Sequence, residues 1–309
     1  MSFPQFSGRG GDSRKYFFGG EKTRHISIYT EFTSNRKRFE YKLVFEEDGI
    51  LEESLRVDGG DVLHRKGPKV LLAGAEHRLS RGSIALNEHP YKKDKNIYRA
   101  SKFFGSWSHH NFVVPRMRKK LKAKKTLKLD PDGENLAQVL LSVRNELPRR
   151  VFNSIENTLK QGIKEVEELK TPLTEEGETY VAIMEKGFSK PFDHHQVSDG
   201  MLKLLAYIVA VNLPNTNLVC FEEPENFVHP RLLELILEIL RESGKQVVLS
   251  THSPYILDHV KPEEIIVFEK KNGRTDARRI EDVERIKKHL EEIGMGEMWY
   301  AGEIGGITK

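Results

Sequence analysis

Leu218-Val219-Cys220-Phe221-Glu222-Glu223-Pro224-Glu225 is the segment that constrains this chain most. An apolar run without polar alternation, ending in two adjacent acids, describes a buried strand that delivers carboxylates to one edge of a sheet. Ligands of open α/β folds bind at that carboxyl edge. Successive strand residues point to opposite faces, so the two acids can divide their labour. One can hold the hydration shell of Mg2+, and the other can orient water for attack on a phosphoryl group. Taken alone, the segment is equally compatible with two solvated acids opening a loop.

The rest of the chain supports a sheet of this kind in its last third only. The periodicity predicts helices over 199–212 and 230–243, a short helix from Pro254 and a charged helix over 281–293. Between them lie apolar strands at 217–221, 246–249 and 265–268. Strands alternating with helices predict a parallel sheet with helices on its faces. The first third alternates apolar and polar over 25–32, 39–45 and 50–57, with Asp48-Gly49 as a turn, and predicts an antiparallel meander continuing through 62–63 and 70–72. Residues 74–110 show no clear period and are expected to be irregular. Helices are expected over 135–146 and 148–169, and a strand over 180–184.

Two further segments point to the same edge. Val247-Val248-Leu249-Ser250-Thr251-His252-Ser253-Pro254 ends a strand in a polar turn. Ser253 suits an N-cap and Pro254 the first helical position, which leaves His252 at the mouth of the sheet. An imidazole there can bond a phosphate oxygen; an ordinary turn histidine is the plain alternative. Ser198-Asp199-Gly200 opens a helix, with Ser198 as N-cap. A helix start offers free N–H groups and a positive dipole to an anion, although a simple cap needs the same residues.

As an ordered set, Ser198-Asp-Gly, Phe221-Glu-Glu-Pro-Glu-Asn and Ser250-Thr-His-Ser-Pro-Tyr resemble the second half of an ABC-type ATPase. The branch is the RecF/Rad50/SMC-related group, close to the OLD-like ATPases. Arg9-Gly-Gly-Asp-Ser, Leu129-Asp-Pro-Asp-Gly-Glu-Asn-Leu-Ala and the tail from Gly294 to Gly306 resemble that branch too. The resemblance implies a P-loop NTPase fold of α/β class, with an antiparallel β portion and a helical insertion. It implies one composite domain over 1–309: a β-rich part to 128, a helical part over 129–200, and a parallel-sheet part over 201–309. It implies ATP and Mg2+ as cofactors, Glu222 as the metal-holding Walker B acid, Glu223 as the catalytic glutamate and His252 as the γ-phosphate contact. Ser198, Asp199 and Gly200 become the signature motif that touches ATP on the opposite subunit of a dimer. Residues 226–229 follow where the family has its dimer-facing loop.

A phosphate-binding loop would read Gly-x-x-x-x-Gly-Lys-Ser/Thr, and no such stretch occurs in the 309 residues. The family carries that motif ahead of the segments matched here, so the opening strand, P-loop and first helix are expected to be missing. A split or misassigned gene, a P-loop-supplying partner chain, or a non-hydrolysing partner role would each account for this.

Composition narrows the remaining classes. The longest apolar run, Leu204–Val211, is far short of the roughly 20 residues that span a bilayer. No secretory signal is visible, and the one cysteine, Cys220, cannot form an internal disulfide, so a cytoplasmic protein is expected. Cys220 itself reads as a small core residue. His109–His110 and His194–His195 are adjacent pairs without the spacing of a zinc site. Arg116 to Lys128 holds eight Lys/Arg in thirteen residues and no acid, and could bind a DNA or RNA backbone. It has no interleaved aromatic for stacking on bases, and a solvated charged face is as compatible. The resemblance makes a Mg2+-dependent ATPase acting as a dimer the leading expectation. The alternatives are a non-hydrolysing regulatory subunit and an ATP-switched nucleic-acid-binding component.

Overall fold

The computed structural model describes residues 25–46, 48–72, 75–88, 93–271, 274–280, 283–289 and 293–305. The predicted motif segment at Arg9–Ser13, the turn residue Glu47 and the last residue of the tail, Gly306, lie outside them. The chain divides into two compact units, Met1–Trp107 and Ser108–Lys309.

The first unit is the predicted meander, one strand longer than expected. Its strands β1 (Ile26–Ser34), β2 (Lys37–Glu46), β3 (Gly49–Val57), β4 (Gly60–Lys66), β5 (Lys69–Leu72) and β6 (Ala75–Arg78) form one sheet in that order. All pairs are antiparallel. Phe39, Tyr41, Leu43, Leu55 and Leu63 are buried on one face. A helix stands where irregular chain was expected: α1 (Lys95–Gly105). Asp94 caps it by accepting from the N–H groups of Asn96 and Ile97, and Ile97, Ala100 and Phe104 recur at i, i+3, i+7. Its Phe103 ring stacks on Phe32, with centroids 3.7 Å apart.

A strand, β7 (Trp107–His110), replaces more of the expected irregular stretch. The second unit continues with α2 (Val114–Met117), β8 (Leu121–Lys122), α3 (Leu136–Glu146), α4 (Arg149–Gly162), β9 (Val166–Lys170), β10 (Glu178–Thr179), β11 (Ala182–Glu185) and α5 (Asp199–Asn212). The helix expected over 148–169 stops at Gly162, where Ile163 turns extended and a strand takes over. A Cβ on Gly162 would meet Leu235 at 2.4 Å, so close helix packing uses the bare glycine. Helix α5 is buried along its whole length from Leu202 to Val211. Buried on every side over that stretch, with Lys203 among its buried residues, it forms the centre of the unit and not its surface.

Then follow β12 (Leu218–Glu222), α6 (Pro230–Glu242), β13 (Gln246–Ser250) and α7 (Pro254–Leu257). Strands β12 and β13 pair in parallel with Glu222 opposite Ser250, and β7 lies on the far side of β12. Val219 and Phe221 are buried in the helical core. On the opposite face Val248 is 49% exposed, so among the described residues helices pack on one face of this sheet. The last predicted strand also departs from expectation. β14 (Ile266–Lys271) leaves the parallel sheet and pairs antiparallel with β15 (Arg274–Arg279). Helices α8 (Val283–His289) and α9 (Met295–Tyr300) complete the described chain. None of its helices is long and apolar enough to cross a membrane.

Candidate nucleotide site at the carboxyl edge of the parallel strands

Parallel pairing in register puts the ends of β12 and β13 at one level. Glu222 is the last residue of β12, and the Glu223 N–H donates to the Ser250 carbonyl at 2.8 Å. The acids and the polar turn through His252 therefore emerge side by side.

Glu222 is held from β7 and the residue after it. His109 Nε2 donates to Glu222 Oε1 at 2.9 Å, and Asn111 Nδ2 donates to Oε2 at 3.1 Å. The bond from His109, followed by its charge and the Asn111 bond, holds the Glu222 carboxyl below its ordinary range. The side chain is still 47% exposed. An ionised, half-exposed carboxylate with lone pairs to spare fits a hard cation that keeps most of its water. Among the described residues no three His, Cys, Asp or Glu side chains converge as metal ligands. Glu222 could hold such a cation through its water shell. His109 and Asn111 were missed by sequence reasoning: no spacing rule links a Trp-Ser-His-His strand to an acid 113 residues on. Only the sheet order brings them together.

Glu223 sits in the left-handed region, with φ +42°, and so does Phe227 of the same loop, with φ +58°. Non-glycine residues there cost free energy, and such strain gathers at functional sites. Asn226 Nδ2 donates to Glu223 Oε2 at 2.5 Å, which fixes the side chain. Phe227 is 90% exposed, and its ring contact is the Lys203 ammonium 5.8 Å from the centroid. Phe227→Asn is expected to stabilise the protein by about 0.5–1 kcal/mol through relief of backbone strain, read as a raised urea midpoint.

His252 follows β13 as predicted and is exposed. Its backbone N–H donates to Glu225 Oε1 at 3.1 Å. Ser198 caps α5, its hydroxyl accepting from the Met201 N–H at 3.2 Å. Asp199 pairs with Arg118 Nη2 at 2.5 Å, and the same guanidinium donates to the His194 and His195 carbonyls. A Cβ on Gly200 would lie 2.9 Å from Leu232 Cδ2, so packing against α6 already calls for a small residue there. Among the described residues no hydrogen bond or ion pair joins Ser198, Asp199 or Gly200 to Glu222, Glu223 or His252. The structure brings the last three to one edge, and the first three open α5.

Two other sequence features resolve plainly. Cys220 is half-buried, and burial pushes its thiol up. The basic run is not a bare row of cations. Arg116 pairs with Asp132 and Glu134, Lys119 with Glu134, Arg118 with Asp199 and Lys125 with Glu146. Lys120 lies over the Tyr180 ring.

His110, next to the Glu222 donor, is 2% exposed and stacks on Phe112. Burial lowers its pKa from 6.5 to about 4. Between those values the unfolded chain binds the proton and the folded chain does not, so stability falls as pH falls. A loss of about 3 kcal/mol across that window is expected from this residue. Urea midpoints between pH 4 and 7 should decline less in His110→Phe than in the wild type.

Residues 2–258 match the family described as "AAA domain, putative AbiEii toxin, Type IV TA system". The chain belongs to this family. The AAA domain is an ATPase domain, and the carboxyl-edge acids lie within the matched span. No curated protein matches the chain. Among solved structures, the SMC head domain from Thermotoga maritima is similar at 10% identity and TM-score 0.42, covering 83% of this chain and 74% of that one. An SmcHead bound to the C-winged helix domain of ScpA is similar at 10% identity and TM-score 0.45, with 84% and 76% covered.

Proposed function

We propose that this AAA-domain protein is a cytosolic, Mg2+-dependent ATPase that works as a dimer, with its phosphate loop supplied by a segment outside these 309 residues. The observation that carries the reading is the parallel register of Glu222 with Ser250. It sets two acids and a histidine at the one sheet edge where α/β folds bind ligands.

In this reading Glu223 orients the attacking water and accepts its proton, and His252 bonds the γ-phosphate. Glu222, held by His109 and Asn111, is the metal-side carboxylate. Mg2+ contributes neutralisation of the phosphate charge. Ser198–Gly200 serves ATP bound to the other subunit.

The outer edge of β13 supports the external phosphate loop. Among the described residues no strand pairs with it. It is apolar, with Val248 exposed and no lysine, proline or bulge to protect it. A strand added in parallel there would end beside the Ser250–His252 turn, one strand removed from Glu222, with a loop after it on the same sheet edge.

Light scattering with and without Mg–ATP tests the assembly. A doubling of mass on nucleotide binding, lost in Ser198→Arg, is the expected result. Nucleotide binding with an unchanged monomer mass would contradict the shared site.

A further inference from the structure

Glu225 has no part in the reaction as described, yet it is the side chain that joins the two loops of the site. Its Oε1 accepts from two donors of the other loop, Thr251 Oγ1 at 2.6 Å and the His252 N–H at 3.1 Å. The Thr251 hydroxyl in turn accepts from the Ser253 N–H at 2.9 Å, and Ser253 is the residue that opens α7. Residues 251 to 253 are thus tied to one carboxylate oxygen across the sheet edge.

The other oxygen, Oε2, is buried and accepts no hydrogen bond among the described residues. Leaving half a carboxylate buried without a partner costs stability. A neutral side chain could close the turn without that penalty, so stability alone does not explain a glutamate here. Its charge is felt by Lys203, which is 3% exposed on α5 and donates to the carbonyl of Asn226, the residue after Glu225. The chain therefore continues from the helix that Ser198 caps, through the acidic loop, to the His252 turn.

We propose that Glu225 is a positioning residue that clamps the His252 turn onto the loop carrying Glu223, and so fixes where these two groups stand relative to each other. This inference rests on the roles given to Glu223 and His252 above. The contact itself is open to test without nucleotide.

Amide hydrogen exchange on the purified chain reads the clamp at the His252 N–H, with the buried strand residue Val219 as internal reference. Glu225→Ala should speed His252 exchange by about tenfold and leave Val219 unchanged. Glu225→Gln keeps an acceptor oxygen and should stay within about threefold of the wild type at His252. Should Glu225→Ala fail to fold, Thr251→Val deletes one of the two donors and should give an intermediate rate. His252 exchange that is unchanged in the alanine variant, or that rises in step with Val219, would overturn the clamp. So would a glutamine variant as fast as alanine. In steady-state ATP turnover by the chain joined to a phosphate-loop segment, Glu225→Ala should lower kcat about tenfold with KM unaltered. Absence of turnover by that completed protein would count against the ATPase reading, while the exchange rates would still decide the clamp.

Discussion

In the chain joined to a phosphate-loop segment, replacing Glu223 by Gln should reduce ATP turnover at least a hundredfold while leaving nucleotide binding intact. The substitution keeps the size of the side chain, its backbone N–H bond to Ser250 and an oxygen for Asn226 to reach. It removes only the capacity to take a proton, and loss of a general base costs about 10²–10⁴ in rate. With hydrolysis blocked, the ATP-bound dimer should accumulate, visible as a mass that no longer falls back with time. Glu222→Gln is expected to act differently. It weakens metal-dependent binding and breaks the bonding pattern with His109 and Asn111, so KM and kcat should change together. Equal behaviour of the two variants would contradict the division of labour between the acids.

Glu53→Ala should be among the most destabilising single changes in the first unit, at about 3–5 kcal/mol. Glu53 and Arg65 are both 0% exposed. The carboxylate accepts from the N–H groups of Ala85 and Leu86, at 2.8 and 3.1 Å, and from the Tyr41 hydroxyl at 3.1 Å. Arg65 Nη1 lies 3.6 Å from Glu53 Oε2. The guanidinium donates to the carbonyls of Gly67, Ser80 and Ser83. Together the pair fastens the 80–86 segment onto β3 and β4. Alanine would remove the countercharge of a buried cation and the acceptor of three donors, whereas paired replacement of both residues by apolar ones should cost much less. Chemical denaturation of the single and double variants measures the difference, and a single-variant loss below 1 kcal/mol would contradict it.

This network also shows where sequence reading stops. The alternation of β3 was legible, but its phase was not. Ile50 is buried, and so are Glu53, Leu55 and Val57, which lie in the opposite phase. A register shift in the β2–β3 pairing, between Val44 and Phe45, accompanies the change. A bulge changes which face each side chain takes, and no local propensity announces it. A glutamate in a strand then reads as solvated although it faces the core.

The carboxyl edge was legible for a related reason. Leu218–Phe221 is apolar without interruption, and its acids follow at once, so strand, burial and edge are all local properties. Ser253-Pro254 and Ser198 likewise announce helix starts by local capping chemistry. Residues 74–110 hid α1 because its apolar positions are few and set among polar ones. They hid β7 because Trp107–His110 has no strand pattern of its own and becomes a strand by pairing beside β12. The two donors to Glu222 were invisible with it. Glu225 was read as one more acid of the motif, since its partners Thr251 and His252 are 26 and 27 residues away.

The central claim is that Glu222, Glu223 and His252 form an ATP-hydrolysing edge completed by an external phosphate loop. Phosphate release measures this directly, on the chain alone and on the chain joined to a strand–Gly-x-x-x-x-Gly-Lys-Ser/Thr–helix segment. The account predicts no release from the chain alone, and Mg2+-dependent release from the completed protein that Glu223→Gln abolishes. Release by the chain alone, or a completed protein that binds ATP and never cleaves it, would contradict the account.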